Sequence, residues 1–122
     1  MVRALVIDAN GLLMPFQFRL NLDREITRLL GEVPVLVPES VLGELGRLGT
    51  KEAKAALALA HKYEVVATDL SGDDAVIDVA ERRSGAVLTN DKELIGRLKA
   101  RAIPVLRLRS GHFLVLTGCT SD

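Results

Sequence analysis

Short runs of Val, Leu and Ile alternate along the chain with segments in which apolar residues recur every three to four positions. An uninterrupted apolar run predicts a strand buried on both faces, whereas a 3.6-residue period predicts a helix with one apolar stripe. Strands are therefore expected at ALVID (4–8), VPVLV (33–37), EVVA (64–67), AVLT (86–89) and PVLRLR (104–109). HFLVLT (112–117) would be a last strand, turned back at Ser110 and Gly111. Helices are expected at roughly 22–30, 39–48, 51–62, 73–83 and 91–101. Pro38 with Ser40 starts the second of these, Gly49 and Thr50 separate it from the Ala-rich third, and Asn90 with Glu93 resembles a capping box at the last. Strands alternating with helices predict an α/β fold on a mostly parallel sheet.

Parallel sheets bind ligands beyond the carboxyl ends of their strands, so the polar residues there come first. Asp8 closes the first strand, Asp73 follows the third after a loop, and Asp91 follows the fourth by two residues. Helix facing, at about 100° per residue, sorts the acids further. Asp73 projects onto the side of Val76, Val79 and Ala80, while Asp74 and Asp78 point away; Asp91 falls on the stripe of Leu94, Ile95 and Leu98. Glu44 sits at the margin of the stripe formed by Val41, Leu42, Leu45 and Leu48, and Glu39 faces the opposite way. Carboxylates that lean toward a core must pair or bind a cation, and few basic residues lie nearby in sequence. Oxygen ligands favour Mg²⁺ or Mn²⁺, ions suited to phosphodiester hydrolysis. Several of these residues also have a plainer use. Asp73 or Asp74 can complement a helix dipole, Asn90 can cap a helix, Glu44 can be a solvated helix residue, and Asp69 a loop residue.

Composition narrows these choices. A length of 122 residues with 48% hydrophobic content fits one domain, residues 1–122, with one core. Sixteen Lys and Arg balance sixteen Asp and Glu, so any nucleic-acid contact must be a local patch. From Glu81 onward the balance tilts, with basic Arg82, Arg83, Lys92, Arg97, Lys99, Arg101, Arg107 and Arg109 against acidic Glu81, Asp91, Glu93 and Asp122. Arg107 and Arg109 alternate with leucines and share one strand face, either as phosphate contacts or as a solvated edge. The lone Cys119 excludes an intrachain disulfide, and with only His61 and His112 beside it a four-ligand zinc site is excluded too. The N-terminus is unlike a signal peptide, and no apolar stretch approaches bilayer length, so a cytoplasmic protein without membrane contact is expected.

VIDANGLL resembles the opening strand and first acid of PIN-domain nucleases, VLGEL the helix that carries their Glu, and GDDAVIDVA and VLTNDKEL their third and fourth acidic segments. The resemblance runs in the family's order over nearly the whole chain. It implies a doubly wound, mostly parallel sheet of about five strands flanked by helices. It also implies Mg²⁺ or Mn²⁺ held by Asp8, Glu44 and Asp73, with Asp91 completing the site directly or through water and Asp74 as a substitute for Asp73. Thr89 and Asn90 match a polar pair lying close to the metals. The implied activity is endonucleolytic cleavage of single-stranded RNA. GDDAVI, the TND segment and IPVLRLRSG resemble archaeal relatives of ribosomal RNA processing nucleases, and VapC-like toxins, which pair with an antitoxin, belong to the same broad family.

Two rival functions remain on the sequence. VIDANGLL also resembles the first motif of haloacid-dehalogenase-like phosphatases, but Asn10 stands where their second Asp acts as acid and base. A non-catalytic RNA-binding module would not need four acids. Leu12, Leu13 and Phe16 fit either a homodimer contact or a short core-facing helix.

Overall fold

The computed structural model describes residues 2–118, so Cys119 and Asp122 lie outside it. Six strands form one sheet: β1 (Leu5–Ile7), β2 (Val35–Pro38), β3 (Glu64–Val66), β4 (Ala86–Leu88), β5 (Val105–Arg109) and β6 (Phe113–Thr117). Six helices accompany them: α1 (Ala9–Phe18), α2 (Leu22–Leu30), α3 (Glu39–Leu48), α4 (Lys51–Ala60), α5 (Gly72–Arg82) and α6 (Lys92–Ala100). The strand order is β3-β2-β1-β4-β5-β6, parallel throughout except for β6, which runs antiparallel to β5. The sheet is therefore doubly wound, as expected, with one strand more than the five that the resemblance implies.

Every residue of β1 and β4 is buried, which is why both read as unbroken apolar runs. Chain order steps outward from β1 to β2 and β3 on one side, then returns to β4 and β5 on the other. The carboxyl ends of β1 and β4 thus flank the point where the winding reverses, the crevice in which such sheets bind ligands. One core surrounds this pair, with Leu5, Val6, Ile7, Leu36, Leu88, Leu94, Leu98 and Leu106 fully excluded from solvent.

Helix α1 extends through a stretch that periodicity did not mark as an element. Leu12 and Met14 are buried and Leu13 is half-buried, but Phe16 and Phe18 are 41% and 45% exposed, and Pro15 lies inside the helix. The core-facing alternative therefore describes Leu12, while Phe16 stays on the surface. Leu48, placed on the buried stripe of α3 by periodicity, is 54% exposed because it ends the helix beside Gly49, whose positive φ turns the chain away.

The sheet edges are managed differently at its two sides. β3 is only three residues long. At β6, Glu25 of α2 accepts a hydrogen bond from Leu114 N at 2.9 Å, and Arg28 donates to Leu114 O at 2.8 Å, so side chains occupy backbone groups that would otherwise be open for pairing. Ser110 and Gly111, both at positive φ, form the tight β5–β6 turn that their sequence predicts. Because β6 covers its outer side, β5 is an interior strand, and Arg107 and Arg109 lie on an exposed face rather than at an edge. No helix among the described residues is long and apolar enough to cross a membrane.

Candidate active site

Asp8 stands at the junction of β1 and α1, where it is the N-cap of the helix. Its Oδ1 accepts from Gly11 N at 2.7 Å, and its Oδ2 accepts from the Thr89 hydroxyl at 2.7 Å. The carboxyl is 8% exposed. Burial pushes its pKa up to about 7; the hydrogen bonds from Thr89 and Gly11 oppose the shift, and the charges of Asp73 and Asp91 add to it. A carboxyl fixed by two donors yet destabilised as an anion is a ready site for a cation or a proton.

The other acids approach from three elements. Asp73, in the first turn of α5, is half-buried, and its pKa is raised by burial and then by Asp91, against the pull of Arg97. Glu44 on α3 is also half-buried and shifted upward, first by burial, with Arg47 lowering it and Asp73 raising it. Arg47 lies three residues after Glu44 on α3, and folding brings Arg97 of α6 close enough to act on Asp73. Asp74 points elsewhere, exposed and bonded to Arg97 at 2.7 Å. Asp78 is likewise taken up by Arg82, and Glu39 and Asp69 are exposed.

Asp91 occupies a different position from the one that helix stepping assigns. It is exposed rather than on the buried stripe, because it precedes α6 as the N-cap, where helical facing does not apply. Its Oδ1 accepts from Glu93 N at 2.9 Å and Leu94 N at 3.2 Å, leaving Oδ2 for other work. The expected capping box at Asn90 is therefore displaced by one residue. Asn90 does something else: its Oδ1 accepts from Leu108 N at 2.8 Å, and its backbone N donates to Asn10 Oδ1 at 2.8 Å. Thr89, fully buried, accepts from Asp91 N at 3.1 Å while donating to Asp8.

Asn10 and Gly11 are the residues whose roles the sequence left unread. Asn10 pins the loop after β4 to the start of α1, a use unrelated to proton transfer. A Cβ on Gly11 would lie 2.7 Å from Leu88 O and 2.8 Å from Ile7 Cγ2, so only glycine lets α1 pass this close to β4. A small residue one turn after a strand-ending acid was the available signal. His61 and His112 are exposed and away from these contacts, as expected of surface residues.

The donor set is carboxylate and hydroxyl oxygen, the chemistry that hard divalent ions prefer, and the upward shifts of Asp8, Asp73 and Glu44 are what an added cation would relieve. Among the described residues, no three His, Cys, Asp or Glu side chains stand arranged to enclose an ion. The residues fit a divalent metal in kind, as an open cluster around one rigid member, Asp8, rather than as a closed cage.

Comparison with known proteins places the chain in a family. Ribonuclease VapC9 of Archaeoglobus fulgidus is 35% identical, over 85% of this chain and 82% of its own length. Ribonuclease VapC4 of Methanocaldococcus jannaschii is 32% identical, over 93% of this chain and 96% of its own. The PIN domain endonuclease Utp24 superposes with a TM-score of 0.82 at 22% identity, covering 95% of this chain and 92% of that one, which is a likeness of fold. The family model described as "PIN like domain" matches residues 5–111, a span that holds all four acids. With relatives above 30% identity along most of its length, the chain belongs to the PIN-like domain family.

Proposed function

We propose that residues 1–122 act as one Mg²⁺- or Mn²⁺-dependent endoribonuclease domain that hydrolyses phosphodiester bonds of single-stranded RNA. The observation that carries this reading is Asp8, a nine-tenths buried carboxyl at the winding reversal of the sheet, with Asp73 and Asp91 near enough to raise its pKa. Two relatives along most of the chain carry the name ribonuclease.

In this reading Asp8, Glu44 and Asp73 hold the ion, and Asp91 contributes its uncommitted oxygen directly or through water. When bound, Mg²⁺ or Mn²⁺ supplies an activated water and neutralises charge at the phosphate and leaving oxygen. The chain's own residues set the geometry. Gly11 N and the Thr89 hydroxyl fix both oxygens of Asp8, so its orientation is settled before anything binds. Thr89 couples Asp8 to the backbone of Asp91, and Asn10 and Asn90 tie that loop to α1 and β5. Arg47 and Arg97 temper the negative field at Glu44 and Asp73.

The cellular role divides between ribosomal RNA processing and a toxin-type ribonuclease silenced by an antitoxin. The VapC names of the two relatives favour the toxin reading. A phosphatase reading finds no acid at Asn10, which is occupied as a structural pin.

The test is substrate class. Single-stranded RNA and a small phosphomonoester are each incubated with Mn²⁺ and with EDTA. Internal RNA cuts that vanish in EDTA, with the monoester untouched, are expected; monoester turnover with intact RNA contradicts the proposal.

A further inference from the structure

The basic residues of α6 divide into two sets. Arg97 bonds Asp74, and Arg101, just past the helix, bonds Glu81, so the side toward α5 is neutralised. Lys92 and Lys99 line a groove on the other side, about 370 Å³ in volume, together with Ile95 and Gly96 of α6, Arg107 of β5 and Thr117 of β6. Among the described residues, none of Lys92, Lys99 and Arg107 forms an ion pair. Glu93 acts on the opposite side, where it is felt by Asp73 and Arg97.

Gly96 forms part of the same groove. It lies inside a helix and is exposed, and a Cβ there would meet nothing within 4 Å. The fold does not require glycine at this position, and an alanine would favour the helix by about 1 kcal/mol. What the missing side chain does is keep the groove floor low between Lys92 and Lys99, which stand two turns, roughly 10 Å, apart along the helix.

We propose that this groove carries the sugar-phosphate backbone of the RNA strand beside the cut bond. Its near end is Lys92, the residue after Asp91, so a strand with a phosphate at the acid cluster meets the cations next. The lining offers two ammonium groups, one guanidinium and no aromatic side chain, a set that holds phosphates through charge, so the groove supplies affinity and direction rather than sequence choice. The proposal rests on the ribonuclease reading.

The experiment measures anisotropy of a labelled single-stranded RNA oligonucleotide with Mg²⁺ across a salt series, in the cleavage-silenced Asp8→Asn background. Adding Lys99→Ala with Arg107→Ala is expected to weaken binding roughly ten-fold and to lower the salt slope by about 1.4, the loss of two phosphate contacts. Gly96→Gln is expected to weaken binding without lowering the melting temperature, and Lys54→Ala on α4 to change nothing. Unchanged affinity and slope in the double variant, or no RNA binding by the parent, overturns the groove and leaves its charge to a protein partner. If the otherwise native protein cuts RNA while the groove variants bind normally, only the groove fails; groove-dependent binding without Mn²⁺-dependent cutting fails the nuclease alone.

Discussion

The residue that concentrates the physics of this protein is Asp8. Its folded pKa of about 7 lies well above the ordinary carboxylate value of 3.8, so the folded state keeps a proton that the unfolded chain loses as pH rises through about 4. Stability of the metal-free protein should then fall between about pH 4 and pH 7 and level off above, by at most about 4 kcal/mol from this group. Asp73 and Glu44 shift in the same direction and add to the slope. Melting temperatures of wild type and Asp8→Asn in EDTA test this: the variant should lose most of the decline, and an equal decline in both contradicts it. Added Mn²⁺ should raise the wild-type melting temperature at pH 8 more than that of Asp8→Asn. Gly11→Ala should cost about 1–3 kcal/mol, because the neighbour at 2.7 Å is a backbone carbonyl that cannot swing aside. Among the described residues nothing pairs with the buried Ser40 hydroxyl, so Ser40→Ala should leave stability unchanged or raise it in a denaturant melt.

At the scale of elements, Asp91 links helix stability to the cluster, and the two roles separate by substitution. Asn caps a helix about as well as Asp, whereas Ala costs about 1 kcal/mol. Asp91→Asn should therefore melt like wild type yet cleave RNA more slowly, and Asp91→Ala should lose both; equal cleavage by wild type and Asp91→Asn would remove Asp91 from the site. The cap also shows where sequence was sufficient and where it was not. β1 and β4 were legible because burial on both faces leaves an unbroken apolar run. Asp73 against Asp74 was legible because both sit inside a regular helix, where 100° steps hold. Asp91 was misplaced onto the buried stripe because an N-cap lies outside helical geometry, and α1 was legible only as an alternative for Leu12, Leu13 and Phe16 because Pro15 and two exposed phenylalanines break its stripe. The roles of Asn10 and Asn90 depend on partners up to 80 residues away, information that no local pattern carries.

For the whole molecule, the strand order brings the ends of β1 and β4 side by side, and α3 and α5 complete the surroundings. No single segment makes a site; the winding does. Net charge is zero, so attraction of RNA rests on where cations are left unpaired rather than on their number. In the proposed function, four acids from four segments act as one metal-dependent centre. Its most direct test is the rate of single-stranded RNA cleavage across a Mn²⁺ titration for Asp8→Asn, Glu44→Gln, Asp73→Asn and Asp91→Asn, with Asp74→Asn as the neighbour outside the cluster. Large losses are expected for Asp8 and Asp73, losses with a raised Mn²⁺ requirement for Glu44 and Asp91, and near wild-type behaviour for Asp74. Full activity in Asp8→Asn, or cleavage that ignores Mn²⁺, would rule out a shared metal centre.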